Sequence, residues 1–355
     1  MLGDDLAEKK LIVSSSPHLK GGASTTAIMW NVVLALLPAW VVGIYYYGPR
    51  AVWLTLISIV AAAATEAVIQ LIRKVPVTAL DGSAVITGML LAFNVPPGVP
   101  WWMVVIGSAI GVGIGKQVFG GLGHNPLNPA LVGRAFLMAS WPVHMTTQWI
   151  LPRGGSLSGA VGIDAITSAT PLSVLKLSRT AILDPSSTPE IVEKARASVE
   201  AIYSAWPQAM IGNIGGCIGE ASAIAILIGG LYLIIRGFSD WRTPLTYIAG
   251  VALLGWIFGG AEGLFTGNVM FQIFTGGLFL GAFFMATDMV TTPITKKGRW
   301  IFGLGCAVLT VFIRRWGGYP EGVSYSILIM NIFTPIIDRH TRPRVFGQSS
   351  KKAGQ

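Results

Sequence analysis

Apolar residues in this chain come in blocks of about twenty that are separated by short polar segments. An α-helix needs a block of that length to cross the roughly 30 Å hydrocarbon layer of a bilayer. The pattern predicts about ten membrane spans, near residues 26–47, 51–72, 82–96, 100–117, 127–141, 219–236, 243–263, 268–290, 300–316 and 322–338. The predicted fold class is therefore an all-α polytopic membrane protein.

The third and fifth predicted spans are short and rich in glycine and proline. Their prolines are Pro96, Pro97, Pro126 and Pro129. Segments of this kind break within the membrane and line a cavity instead of crossing as one straight helix. We therefore expect a cavity beside these two spans.

A shift of the sequence by 196 residues reveals a weak internal repeat. It aligns residues 64–67 with residues 260–263, and Pro97 with Pro293. The same offset orders the chain as five spans, a loop and five spans. Because each half has an odd number of spans, the second half is inverted relative to the first. The pattern predicts two inverted five-helix repeats.

The predicted organisation has five parts. They are a polar N-terminal segment 1–25, a first five-helix half 26–141, a hydrophilic loop 142–218, a second five-helix half 219–338 and a tail 339–355. The loop is too long for a simple connection. Within it, Thr188-Pro189-Glu190 begins a helical pattern that runs to about Trp206. We expect this loop to form a small lid on the outer face.

Composition and charge support a membrane protein with a defined orientation. Hydrophobic residues are 52% of the chain and charged residues are 12%, about half of what soluble domains carry. The net charge of +9 does not indicate nucleic-acid binding, because the basic residues lie at the ends of apolar blocks and form no stripe with interleaved aromatics.

The predicted inner segments hold 16 of the 25 basic residues. This predicts a multi-pass protein of the bacterial cytoplasmic (inner) membrane, with both termini cytoplasmic and the loop 142–218 outside. The segment 1–25 lacks the apolar core of a cleaved signal peptide.

The sequence does not predict a metal site. Cys217 and Cys306 form neither a CxxC pair nor part of a four-thiolate set, so no iron–sulfur cluster is expected on this chain. His124 has no partner at the spacing of metal ligands.

One short run in the loop carries the candidate chemistry. Its sequence is Asp164-Ala-Ile-Thr167-Ser168-Ala169-Thr170-Pro171. Taken alone, the run makes Thr170 the N-cap and Pro171 the first residue of a short helix, 171–179. A phosphate ester on such a threonine would lie where free backbone N–H groups and the helix dipole favour negative charge. The two interpretations are compatible.

The run resembles a known flavin attachment site, in which a flavin transferase links FMN through its phosphate to threonine in the sequence Asp-x-x-Ser/Thr-Gly-Ala-Thr. Such sites occur in Na⁺-translocating NADH:quinone reductases and in the related Rnf complexes. The resemblance implies covalent FMN on Thr170, with Asp164, Thr167, Ser168 and Ala169 forming the attachment motif. Ser168 stands where the family usually has glycine.

Three further motifs of this RnfD/NqrB family follow in the expected order. Residues 120–130 resemble its glycine-rich Asn-Pro-Ala segment. Residues 285–293 are similar to its Met-Ala-Thr-Asp-Pro-Val-Thr-Ser-Pro motif, with Met289 replacing a proline, and residues 317–326 match a third. The short segment before the first span is closer to RnfD than to NqrB, the corresponding protein of the quinone reductases.

The resemblance implies a flavoprotein subunit that is not catalytic alone. It would act in a complex that couples electron transfer between ferredoxin and NAD⁺ to translocation of Na⁺ or H⁺. The implied partners are other Rnf subunits, including iron–sulfur and flavin subunits, together with the flavin transferase and membrane lipid. The alternatives are the NqrB protein of a Na⁺-translocating NADH:quinone reductase, and a solute channel or transporter whose outer loop is purely structural.

Several polar residues lie within or beside the apolar spans, where ionisable groups are costly. They are Glu66, Asn125, Asn128, Arg134, Glu262, Asp288, Thr291 and Thr292. Glu66 and Glu262 are interpreted either as ion-route residues or as structural groups. The family-like motif of Asp288, with Thr291 and Thr292 beside it, favours an ion route.

The other three residues also have two interpretations each. Arg134 faces an anionic ligand or pairs with a carboxylate. Asn125 and Asn128 either make Asx turns before the prolines that follow them, or bind a second, non-covalent flavin. The family resemblance implies riboflavin for that ligand.

Overall fold

The computed structural model describes residues 24–153 and 170–342, and the regular elements of these two ranges are helices. Before the gap lie α1 (Thr25–Tyr47), α2 (Pro49–Ile72), α3 (Ser83–Phe93), α4 (Trp101–Val112), α5 (Pro129–Ser140) and α6 (Pro142–Thr147). After it lie α7 (Pro171–Leu183), α8 (Pro189–Ser204), α9 (Trp206–Ile211), α10 (Ala223–Ile235), α11 (Arg242–Phe258), α12 (Val269–Phe274), α13 (Leu278–Leu280), α14 (Lys296–Trp316) and α15 (Val323–Thr341). The prediction of an all-α chain is confirmed for these ranges.

Two helices, α1 and α2, are long and apolar enough to cross a membrane. Their most apolar 18-residue windows have mean hydropathies of 2.1 and 2.0, yet only 22% and 28% of those windows are buried inside the protein. A helix that is apolar on all sides and largely uncovered is suited to lipid and not to water. These two helices have the length and composition of membrane spans.

The joint between α1 and α2 follows from local sequence. Ser24 caps α1 by accepting a hydrogen bond from the backbone N–H of Ala27 at 3.1 Å. The helix ends at Gly48, whose φ of 71° is accessible to glycine at little cost. Pro49 then begins α2, where its missing N–H has no consequence. The sequence Gly-Pro thus separates α1 from α2 by a single residue.

The predicted span 268–290 is not one helix. After α12 the chain turns at Gly276, with a φ of 73°, and α13 continues as a π-helical turn over Gly281–Met285. The adjacent Gly277 also lacks a side chain, so this segment has low helix propensity. The break therefore lies in the eighth predicted span, whereas the short third and fifth spans, in which a break was expected, contain the continuous helices α3 and α5.

Corresponding helices before and after the gap pack alike. The helix α2 packs on α4, and α11 packs on α14; likewise α4 packs on α5 and α14 on α15. Two buried hydroxyl groups form a hydrogen bond between α2 and α4, from Ser58 to Ser108 at 2.9 Å. Another such pair joins α11 and α14, from Tyr247 to Thr310 at 2.6 Å. The helices α1 and α10 pack against each other and join the two groups.

The described part of the hydrophilic loop is a small helical layer. Helices α7 and α8 pack together, and Leu172 and Ile202 form an apolar cluster with Phe271 of α12. Arg179 ties this layer to the end of α11, because its guanidinium donates to the carbonyls of Gly259 at 2.9 Å and Gly260 at 2.6 Å. The described part of the loop after residue 169 is thus a packed layer over α12.

Candidate functional site

Thr170 is the N-cap of α7, as the sequence predicts, and Pro171 is its first residue. The Thr170 hydroxyl lies 2.9 Å from the Ser173 hydroxyl and accepts no hydrogen bond from the backbone of the first turn. The first N–H groups of a helix have no partner within the helix. The end of α7 therefore offers backbone donors and a partly exposed hydroxyl at one place.

Thr170 lines a cavity, which we call the Thr170 cavity. Its walls come from distant parts of the chain and include Arg134, Met138, Trp149, Thr170, Phe274 and Glu321. The structure thus brings together Thr170 and Arg134, which the sequence nominated separately.

Arg134 makes a buried ion pair at the wall of this cavity. Its Nη2 lies 2.5 Å from Glu321 Oε2, and its Nη1 donates to Asn94 Oδ1 at 2.6 Å. The backbone N–H of Gly277 donates to the other Glu321 oxygen. Of the two interpretations of Arg134, pairing with a carboxylate is the one observed, while its position on the wall leaves it near any ligand.

Two more charged residues of this region were not nominated from the sequence. Glu220 lines the Thr170 cavity. Arg314, which falls at the end of the predicted span 300–316, is buried and donates to the carbonyls of Gln272 at 2.7 Å and Thr275 at 3.1 Å. These carbonyls are freed where α12 ends. In the sequence, the adjacent glycines Gly276 and Gly277 were the signal from which this break in the helix could have been predicted.

A second cavity is lined by Asp288 and is called here the Asp288 cavity. Its lining includes Ser83, Lys116, Asn125, Asn128, Thr287 and Asp288. The Asp288 carboxylate accepts hydrogen bonds from the Thr291 hydroxyl at 3.2 Å and from the Val290 N–H at 3.4 Å. Thr292 instead donates to the Asp288 carbonyl at 2.5 Å. Of the two threonines, only Thr291 bonds the carboxylate.

Glu66 forms a buried ion pair with Lys116. The Lys116 Nζ lies 2.8 Å from both Glu66 oxygens and donates to the Ser83 hydroxyl at 2.7 Å. Gln117 donates to Glu66 at 2.9 Å, and the two charged side chains are only 2% and 1% exposed. The structural interpretation of Glu66 is the one observed. Lys116, which falls at the end of the predicted span 100–117, is buried in a π-helical turn after α4.

Glu262 lies outside any helix, and its predicted place within a span is wrong. The helix α11 ends at Phe258 before Gly259 and Gly260, so Glu262 falls in the following loop. Its side chain is 53% exposed and pairs with Arg196 at 2.9 Å. The two glutamates that the repeat aligns therefore have different environments, because Glu66 is buried and Glu262 is exposed.

Asn125 and Asn128 both make local turns and both line the Asp288 cavity. Asn128 caps α5 by accepting from the N–H groups of Ala130 at 3.1 Å and Leu131 at 3.4 Å. Asn125 donates to the Leu127 carbonyl at 3.2 Å, while its buried Oδ1 has no hydrogen-bond partner. A buried acceptor without a donor is unusual in proteins. The turn interpretation is observed, and this free acceptor is compatible with a ligand.

The remaining predicted residues of the attachment motif, Asp164, Thr167, Ser168 and Ala169, lie outside the described residues.

Comparison with known proteins identifies the family. The sequence profile of the NQR2, RnfD, RnfE family matches residues 12–347. The chain belongs to this family. The family resemblance drawn from the four motifs is thereby confirmed, and with it the assignment to a family of membrane subunits.

Full-length relatives in the NQR2, RnfD, RnfE family carry closely related names. The chain is 47% identical over 335 residues to the D-type subunit of the proton-translocating ferredoxin:NAD⁺ oxidoreductase complex of Clostridium ljungdahlii, covering 94% of this chain and 96% of the relative. It is 45% identical over 345 residues to the D-type subunit of the Na⁺-translocating ferredoxin:NAD⁺ oxidoreductase complex of Acetobacterium woodii, covering 97% and 98%. Since one name specifies protons and the other Na⁺, the names leave the coupling ion open.

Proposed function

We propose that this chain is the RnfD protein of an Rnf-type complex, an ion-translocating ferredoxin:NAD⁺ oxidoreductase, and that it carries FMN on Thr170. The observation that carries the proposal is the position of Thr170 at the start of α7, where it lines a cavity with a buried arginine in its wall. The relatives named above are D-type subunits of complexes with this activity. Those names favour RnfD over the NqrB protein of a quinone reductase.

The residues that line the Thr170 cavity suit a flavin in their chemistry. The aromatic residues among them, Trp149, Phe274 and Tyr319, suit a flat ring system. The free N–H groups at the start of α7 suit a phosphate, and the Thr170 hydroxyl is bonded only to Ser173. When bound, FMN supplies electron-transfer chemistry, while the protein supplies binding and orientation. Arg134, held by Glu321, keeps a positive charge at the wall.

We propose that the helices form ten spans in two inverted halves. The like packing of α2 on α4 and of α11 on α14 supports this arrangement. Basic residues gather at the end of the protein that holds the Asp288 cavity. Arg73 donates to the carbonyl of Gln117, next to Lys116 of the lining, and Arg242 and Arg299 pair with Asp240, next to Ser239 of the lining. By the positive-inside rule, that end faces the cytoplasm of a bacterial inner membrane, both termini are cytoplasmic and Thr170 is outside. Other Rnf subunits, including iron–sulfur and flavin subunits, are its partners.

The Asp288 cavity is the proposed site for an ion route or a non-covalent riboflavin. Asp288 and Thr291 provide oxygens there, and Asn125 provides a buried acceptor without a partner. Lys116 also lines this cavity, although its charge is balanced by Glu66. A carboxylate and hydroxyl oxygens suit a hard cation.

The rival function is a solute channel or transporter with a structural loop. The two functions differ in whether a flavin is covalently bound, so denatured protein from the native host decides between them. Under ultraviolet light, the gel band of the unsubstituted protein should fluoresce and that of Thr170→Ala should be dark. Ser173→Ala is the matched control, because it changes a hydroxyl in the same turn, and its band should fluoresce. A dark unsubstituted band, with the flavin transferase present, would favour the transporter.

A further inference from the structure

Two carboxylates converge at the wall of the Thr170 cavity. Glu220 ends the short 3₁₀ helix Ile218–Glu220 that precedes α10, and Glu321 precedes α15. The Oε1 atoms of both residues lie 2.9 Å from the position that a Cβ on Gly277 would occupy. The two carboxyl groups are also within hydrogen-bonding reach of each other. Glycine at 277 leaves room for this approach.

The hydrogen-bond donors around the two groups are unequally divided. Glu321 receives one from Arg134 and another from the Gly277 N–H. Glu220 receives only a long hydrogen bond from the Cys217 N–H, 3.3 Å from Oε2, while its Oε1 is buried and has no donor. A buried acceptor without a donor is costly, and two ionised carboxylates at this distance repel each other. A proton between them removes both costs, because one carboxyl then donates to the other.

We propose that Glu220 and Glu321 form a proton-binding site in which the two side chains share one proton. The groups around them are mainly N–H donors, from Arg134, Gly277 and Cys217. A hard metal cation needs about six or more oxygen ligands. Among the described residues no group of three acidic, histidine or cysteine side chains could hold a metal ion. The surroundings therefore suit a proton and not a metal ion.

The charges around Glu220 and Glu321 couple proton binding at this site to the charge of a ligand in the Thr170 cavity. Arg134 of α5 and Arg314 of α14 face it as cations, and among the described residues Tyr47 of α1, Cys217 and Tyr319 are titratable neighbours of the pair or its cavity. Two arginines and a singly protonated carboxyl pair have a net charge of one positive unit. That charge suits a phosphate ester on Thr170, and added negative charge in the cavity strengthens proton binding. This link rests on the proposed function, whereas the proton site itself does not.

Infrared spectroscopy of the purified complex tests the proton directly. The unsubstituted complex should show the carbonyl absorption of a buried protonated carboxyl group, and that band should be lost as the pH is raised. The band should also be absent from Glu220→Gln and from Glu321→Gln, because either amide can donate the hydrogen bond that the proton supplies. Glu200→Gln changes an exposed carboxylate of α8 and should leave the band intact.

Three results would overturn the proposal. They are a band that survives both glutamine substitutions, a band that Na⁺ removes at constant pH, and an unsubstituted complex without the band at any pH at which it is stable. The last result is decisive even if neither variant assembles. Thr170→Ala separates this site from the proposed function, because its band should persist without a flavin. A missing flavin in the unsubstituted complex would refute the FMN proposal and leave the proton site standing.

Discussion

Replacing Glu66 by leucine should destabilise the protein severely. The substitution leaves the Lys116 ammonium without its carboxylate at a position where the side chain is only 2% exposed. Breaking a buried ion pair by removing one partner costs about 3–5 kcal/mol. At about 1.4 kcal/mol per tenfold change, this is a hundredfold or greater loss in the folded-to-unfolded ratio. We expect little complex to be recovered and a lower melting temperature for what remains.

The double variant Glu66→Leu, Lys116→Met tests the reasoning. Because it removes both charges and keeps similar volumes, most of the lost stability should return, as for other buried pairs replaced by apolar residues. The matched control is the exposed pair Arg196 and Glu262, whose removal should change stability by about 1 kcal/mol or less. The assay is recovery and thermal melting of the complex. A double variant as unstable as the single one, or a single variant of normal stability, would refute the argument.

The other predictions concern orientation, coupling and pH. A reporter after residue 355 should be cytoplasmic and one near Ser186 external; reporters on one side would show a span count wrong by an odd number. Asp288→Asn should keep the flavin and the complex while ion transport falls; normal transport would exclude an ion site, and loss of the protein from the complex would indicate a structural role. In the loop before α11, burial raises the pKa of Asp240, but hydrogen bonds from Arg242 and Arg299 outweigh it and hold the pKa below its usual value. Ionised Asp240 therefore stabilises the folded protein at neutral pH, and this stabilisation is lost as the pH falls through the lowered pKa. Asp240→Asn should flatten the acid side of a profile of melting temperature against pH. An unchanged profile would contradict this.

Local sequence predicted where helices begin. Pro171 and Pro189 each stand at a first helical position, as predicted, and Asn128 makes the local turn that was one of its two interpretations. These positions depend on fixed backbone angles and on hydrogen bonds within one turn. Such features are contained in a few neighbouring residues, which is why the sequence reveals them.

The features that were not predicted depend on contacts between distant residues. The buried position of Lys116 depends on Glu66, fifty residues away, and the break at Gly276 is stabilised by Arg314 on another helix. The convergence of Glu220 on Glu321 needs three elements to meet at one glycine. A single sequence gives the residue types but not these pairings. The motif resemblance supplied Thr170, because chemical modification sites are recognised by local sequence.

The most direct test of the central claim is mass spectrometry of the tryptic peptide 154–176 from the native complex. This peptide contains Thr170 and also Thr167 and Ser168, so fragmentation can locate an added group. The account predicts the FMN-phosphoryl mass on Thr170 and an unmodified peptide from Thr170→Ala, which should still insert in the membrane because loss of an N-cap costs only about 1 kcal/mol. The mass on Thr167 or Ser168, or an unmodified peptide from a host that has the flavin transferase, would contradict it.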